Sequence, residues 1–386
     1  IGVLAFTRSN ETVDSFSLVQ RAQIGAGVRL QFENTDGSRQ FVLEAEPVSA
    51  EQTRFHLALG GRTGSGEAAD SIAIPVRCDD GGSFHGFGMQ YNATDQRGEA
   101  FTLFVNEQGN GRTGSGGIAV GDTHTTYFPM PYYLDVRGFG VLFHTARRVE
   151  VDLCAGDPAV AWFEVVGGDK VEWTVFHGPT TKNVISQLAT VVGRPAPPPE
   201  WAYGLWIGSQ GGRDKVLAEV DALEAADIPV TAMWVQDWGG HRKNFDGGDG
   251  VQYRWAPDEV CDERDANQQP IPGDICYPDI AGMVAGLHAR GYKFLTYANP
   301  FVVKDLDARF TPNHFAEMES GGLLMRNPAG ATNLFLGGNV PQRNAHADLT
   351  LPAARDYIKD ALRNMVTVYG FDGWTADFSE WTPLDA

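Results

Sequence analysis

Cationic side chains are scarce in this chain: 30 Lys and Arg face 49 Asp and Glu, for a formal net charge of −19 at pH 7. That average field repels a phosphate backbone, so nucleic acid is excluded as the main partner. Long apolar runs are missing as well. None approaches the ~20 residues that cross a bilayer, so no membrane span is expected. No two histidines stand at metal-ligand spacing, and the 4 cysteines include no Cys-x-x-Cys. Neither a metal site nor a cofactor is therefore expected. The first residues, Ile1-Gly2-Val3, hold no starting Met and no basic stretch leading into an apolar one. Any export signal is expected to have been removed already.

What is present is ordinary globular material, 42% apolar and 20% charged, in 386 residues. At ~150 residues per domain this suggests two or three domains. Cys261 and Cys276 bracket a polar, Pro-containing stretch, CDERDANQQPIPGDIC, and closing that loop with a disulfide is the simple reading. Whether Cys78 and Cys154 form a second pair is left open. Cystine pairing and an acidic surface favour a secreted or periplasmic protein. A homo-oligomer is compatible with the sequence but not required by it.

The chain has two rhythms. Up to about residue 195, runs such as VRLQFEN, RQFVLEAEP, TRFHLALGG, FGVLFHTA and VEWTVFHG alternate with period two between Gly, Asp and Asn turns. Evenly spaced short strands predict an antiparallel β-sandwich over 1–195. One helix is expected late in this part, from Thr181. Pro195-Ala196-Pro197-Pro198-Pro199 then interrupts both helix and ladder, which places a domain boundary there. After it, strands YGLWIG, VTAMWVQ, YKFLTYANP and GWTADF alternate with helices over 215–226, 281–290 and 352–369. These strands are apolar throughout, as parallel strands covered on both faces should be. Four strand–helix units over 200–386 amount to half of a (β/α)8 barrel, so the rest is expected to lie in polypeptide beyond this sequence.

In such barrels, chemistry collects at the C-terminal ends of strands. That rule selects Ser209-Gln210, Gln236-Asp237-Trp238, Asn299-Pro300 and Asp377. Two carboxylates thus end strands near Trp206, Trp234, Trp238, Trp374 and Trp381. Aromatic faces beside carboxylates suit a sugar, whose C–H faces stack on rings while its hydroxyls bond to oxygen. The plainer roles are a core position for each Trp, helix or loop capping for Asp377 and Asp237, and a solvated or salt-bridged Glu380.

The local words are more specific. Trp374-Thr375-Ala376-Asp377-Phe378-Ser379-Glu380 resembles the nucleophile signature of glycoside hydrolase family 31, the retaining α-glycosidases. Trp234-Val235-Gln236-Asp237-Trp238 resembles that family's substrate-binding strand in the form typical of its sulfoquinovosidase-like branch. Glu107-Gln108-Gly109-Asn110-Gly111-Arg112 and Tyr127-Phe128-Pro129-Met130-Pro131-Tyr132-Tyr133 are similar to sandwich motifs of the same branch, and Phe84-His85-Gly86-Phe87-Gly88 to a family strand. The resemblance runs from about residue 80 onward, with its five motifs in order. It implies that Asp377 is the catalytic nucleophile and that Asp237 binds sugar hydroxyls. It also implies that Gln236, Trp238, Trp206, Trp374, Glu380 and Arg242 shape or orient the site. The family's acid/base is an Asp far beyond the nucleophile, and no residue of this sequence is assigned to it.

One departure bears on substrate. Sulfoquinovosidases read the sulfonate with Arg-x-x-Trp-x-Trp, where this sequence has Gly250-Val251-Gln252-Tyr253-Arg254-Trp255. A Gly offers an anion no charge-assisted contact, so the reading leans to a neutral terminal α-glucoside or α-galactoside. Sulfoquinovoside cleavage is the alternative, with Arg242 or Arg254 standing in. A non-catalytic sugar-binding protein on the same scaffold is the alternative of another class. An isomerase or aldolase would want a metal cluster or a Lys at a strand's end, and Lys293 lies at a strand's start. His85 and His241 read as polar wall or core.

Overall fold

The computed structural model describes residues 5–8, 11–13, 16–35, 37–60, 70–78, 81–106, 122–243, 249–261, 275–304, 312–336 and 343–382. The Glu107–Arg112 motif lies outside them. The chain divides into two compact units, Ile1–Pro195 and Ala196–Ala386.

The first unit is built on two antiparallel sheets. In spatial order the six-stranded sheet runs Glu11–Val13, Ala5–Arg8, Ser71–Arg77, Val160–Val166, Val149–Asp157, Ala100–Leu103. The eight-stranded sheet runs Phe16–Ile24, Gly27–Asn34, Gln40–Ser49, Gln52–Leu59, Lys170–His177, Phe139–Phe143, Pro129–Asp135, His85–Gly88. Alternation along each strand turns one face inward: in Val160–Val166 the buried residues are Ala161, Phe163 and Val165. Those join Leu57, Ile72, Phe87, Tyr133, Val149 and Leu153 in a single core. Phe163 stacks on Tyr133 at 5.2 Å and on Phe143 at 5.0 Å between ring centroids. The Phe-x-Gly-x-Gly strand has a local cause. Gly88 sits at φ +81°, and a Cβ there would collide with the Phe128 carbonyl of the neighbouring strand. The helix Thr181–Val192, capped by Thr180, lays Val184 and Leu188 against Tyr132, Leu142 and Phe176. Cys78 and Cys154 are joined, with Cα atoms 6.4 Å apart.

The second unit carries a four-stranded parallel sheet in sequential order: Leu205–Ser209, Val230–Val235, Lys293–Ala298 and Gly373–Ala376. Helices Arg213–Ala225, Ile280–Ala289 and Pro352–Thr367 follow the first three strands. The second and third strands read as expected, with Ala232, Met233, Val235 and Phe294 all at 0% exposure. Each large apolar side chain buried this way contributes ~1.5–3 kcal/mol. Coverage of both faces does not extend to the outer strands. Leu205 and Trp206 are exposed, as are Thr375 and Ala376, because an outer strand has a sheet neighbour on one side only.

Two excursions leave this sheet. After the second strand comes a hairpin, His241–Lys243 paired with Asp249–Val251, then the Cys261–Cys276 disulfide with Cα atoms 5.3 Å apart. After the third strand, Phe301–Val303, Phe335–Leu336 and Arg343–His346 form a small antiparallel sheet beside the helix His314–Ser320. Strands of two to four residues are too short to show a period in the sequence.

Candidate active site

The first and second strands end next to each other, and their end residues lock together. Gly211 follows the first strand at φ +111° and donates its N–H to Asp237 Oδ2 at 2.7 Å. Asp237 Oδ1 accepts the Tyr277 hydroxyl, and His241 Nε2 lies 3.4 Å from Oδ2. Burial, then the Asp237 charge, drives the Tyr277 phenol far above its ordinary pKa, so it stays a donor. Asp237 itself is 0% exposed. The expected contact between Asp237 and sugar hydroxyls has a different setting here, because protein donors approach both carboxylate oxygens. Asp237 is a brace that ties two strand ends and the post-disulfide segment together.

Its neighbour Gln236 faces elsewhere. The Gln210 amide donates to Gln236 Oε1 at 2.8 Å, and Gln236 Nε2 donates to the Tyr253 hydroxyl at 3.3 Å. Tyr253 in turn feels the charge of Asp377; burial chiefly, and that charge, raise its pKa while the Gln236 bond opposes the rise. Gln236, rather than Asp237, is thus the strand-two residue that leads toward Asp377.

Asp377 follows the fourth strand directly, its N–H still bonded to Ala298 O of the third at 3.2 Å. The carboxylate is half-buried. Oδ2 accepts the Tyr297 hydroxyl, and Oδ1 accepts the Phe378 N–H at 2.9 Å. Burial, and next the bond to Asp377, push the Tyr297 phenol far upward, which keeps its proton in place. Phe378 adopts φ +65°, rare for a residue with a bulky side chain. Its ring is held by Trp381 at 4.0 Å, Tyr253 at 5.5 Å and Tyr297 at 5.7 Å. Glu380 lies in the short helical turn Ser379–Trp381 and is 8% exposed, so the solvated role does not apply to it. A carboxylate fixed by two donors and still open on one side is suited to attack on an electrophilic carbon.

The tryptophans expected to wall these groups are set back along their strands or buried. Trp206 lies three residues before the end of its strand and stacks on Trp201 at 5.7 Å, near the strand's start. Trp374 pairs with Thr296 three residues before Asp377, roughly 10 Å back along the strand. Trp238 is core: it is 2% exposed, donates to Tyr297 O at 2.9 Å and packs edge-on against Phe371. Tyr253, Tyr297, Phe378 and Trp381 supply the aromatic surroundings instead. Arg242 stands opposite Gly250 in the hairpin, and its side chain lies outside the described residues. Among the described residues, no group of three or more His, Cys, Asp or Glu is placed to hold a metal.

Residues 195–385 match the family model for the TIM-barrel domain of glycosyl hydrolases family 31. The C-terminal unit belongs to glycosyl hydrolase family 31. Among curated relatives, a sulfoquinovosidase of Agrobacterium fabrum is 28% identical over 348 residues, covering 86% of this chain and 48% of the relative. One of Escherichia coli is 27% identical, covering 78% of this chain and 42% of the relative. The chain therefore spans less than half the length of either. An alpha-xylosidase, XylQ of Lactiplantibacillus pentosus, is 26% identical over 75% of this chain and 34% of its own. Among solved structures, a family 31 sulfoquinovosidase from E. rectale superposes with a TM-score of 0.76 at 21% identity, over 100% of this chain and 56% of that one. That likeness establishes the fold. The family 31 barrel begins at the proline-rich stretch that separates the two rhythms of the sequence.

Proposed function

We propose that this chain is part of an exo-acting retaining α-glycoside hydrolase that releases one terminal hexose through a glycosyl-ester on Asp377. The observation that carries this is the setting of Asp377 at the end of the fourth parallel strand, ionisable, half-open and held by Tyr297 and Phe378. In the first step a carboxylate oxygen bonds to the anomeric carbon as the glycosidic C–O bond breaks. The leaving oxygen takes the electron pair and a proton from an acid not assigned in this sequence. Water then cleaves the ester, restoring Asp377 with the α configuration retained. Gln236, supported by Gln210 and next to Tyr253, is the polar contact for sugar hydroxyls. The sandwich over 1–195 and the half-barrel over 200–386 are read as two domains. The two disulfides favour a secreted or periplasmic site of action.

The substrate reading remains a neutral α-glucoside or α-galactoside. Gly250 supplies no cation where the sulfonate-reading string has Arg. Cleavage of a sulfoquinovoside is the second reading, favoured by the two named relatives and by Arg242 standing directly across from Gly250. Aryl α-glucoside, α-galactoside and α-sulfoquinovoside, compared by kcat/KM on the full-length protein, decide between them. A preference of ~10-fold or more for the sulfonated sugar would overturn the neutral reading and leave the mechanism standing.

A further inference from the structure

The hydroxyl of Tyr297 and the backbone N–H of Phe378 each hold one oxygen of the same carboxylate. A Phe at position 297 would fill the same space, yet a phenol stands there, buried and directed at Asp377 Oδ2. A left-handed backbone at a non-Gly residue is strained and persists only where its surroundings enforce it. Here Trp381, Tyr253 and Tyr297 close around the Phe378 ring, and the outcome of that conformation is an N–H aimed at Asp377 Oδ1.

We propose that Tyr297 is a positioning residue for the nucleophile: its hydroxyl fixes the Asp377 carboxylate in the attacking orientation and stabilises its charge. Phe378, clamped by the same ring, completes the grip. The inference rests on Asp377 being the nucleophile and adds a residue that acts through it. Other ionisable groups share the neighbourhood. Tyr253 feels Asp377, Glu380 acts on Tyr297, and His346 packs against Phe301 beneath Trp381. Tyr297 is the side chain hydrogen-bonded to Asp377 Oδ2.

The test uses the full-length protein and a 5-fluoro-α-hexosyl fluoride, whose leaving group departs without acid assistance. Rates of covalent labelling of the Asp377 peptide are followed by mass spectrometry against pH. In Tyr297→Phe, labelling should slow by about 10- to 100-fold, the order of loss when a reacting group leaves its attack geometry. The acid limb of its pH profile should move up by about one unit. Turnover of an aryl glycoside should lose kcat with KM nearly unchanged. A merely structural hydroxyl would lower the melting temperature and leave the acid limb where it was; that result overturns the proposal. If the wild-type protein carries no label on Asp377, the nucleophile reading itself fails, an outcome distinct from an unchanged limb in the variant.

Discussion

Two carboxylates end parallel strands of one sheet, and each accepts the hydroxyl of a tyrosine. Asp237 has Tyr277, Gly211 and His241 around it and no exposed surface. Asp377 has Tyr297, one backbone N–H and an open side. The residue types hardly differ; the number of donors and the exposure do. A fully satisfied, buried carboxylate loses heavily if disturbed and gains nothing from a ligand. A half-satisfied one keeps a face for chemistry. The lesson is that position at a strand end selects candidates, while the count of occupied lone pairs assigns their roles.

The comparison breaks most directly on one substitution at each carboxylate. Asp377→Asn should remove turnover of an aryl α-hexoside by at least ~10³-fold while leaving the melting temperature near wild type, since the amide keeps shape but cannot attack. Asp237→Ala should show the reverse pattern. It strands the Tyr277 hydroxyl and the Gly211 N–H in a buried place, at a cost of about 2–4 kcal/mol in denaturant unfolding. Equal losses of stability in the two variants would erase the distinction.

Next in size is the Cys261–Cys276 tether, which immediately precedes Tyr277. Replacing both cysteines by Ser should cost about 3 kcal/mol in the loop-closure picture. Hydrogen exchange should rise around Gly211 and Tyr277 and stay unchanged around Asp377. Protection lost equally at both sites would mean that the two are not independent.

Acid sharpens the contrast from the other side. Burial holds His346 down at about 4, and its ring meets edge-on that of Phe301, which stacks on Trp381. A histidine whose folded pKa is depressed takes up its proton first in the unfolded chain. Its contribution is therefore full above ~6.5 and is lost as pH falls from there toward 4. Between those values, exchange protection over 377–381 should fall before that over 236–241, and His346→Phe should flatten the difference. Smallest of all is Trp206→Ala, expected to change kcat/KM of the full-length protein less than twofold, because the ring sits at the far end of its strand.

Much of the fold was legible. Period-two runs gave way to strand–helix units at Pro195–Pro199, and all four parallel strands fell within a few residues of their readings. The sheet inserted after Phe301 was not seen, since its two- to four-residue strands are too short to show a period. At the site, Asp377, Gln236 and Gln210 were picked out by the strand-end rule. Trp206 and Trp374 stand three residues short of the strand-end positions that the rule selects. Tyr277 and Tyr297 stayed hidden for another reason. Tyr297 reaches Asp377 across 80 positions through strand register, and Tyr277 reaches Asp237 across 40 from the segment after the disulfide.

The central claim is that Asp377, and not Asp237, presents its carboxylate to a substrate. Peptide mapping of the full-length protein after reaction with an activated fluoro-glycoside tests it in one measurement. The account predicts a single sugar adduct on the peptide carrying Asp377, absent in Asp377→Asn. An adduct on Asp237, or a label that persists in Asp377→Asn, would contradict it.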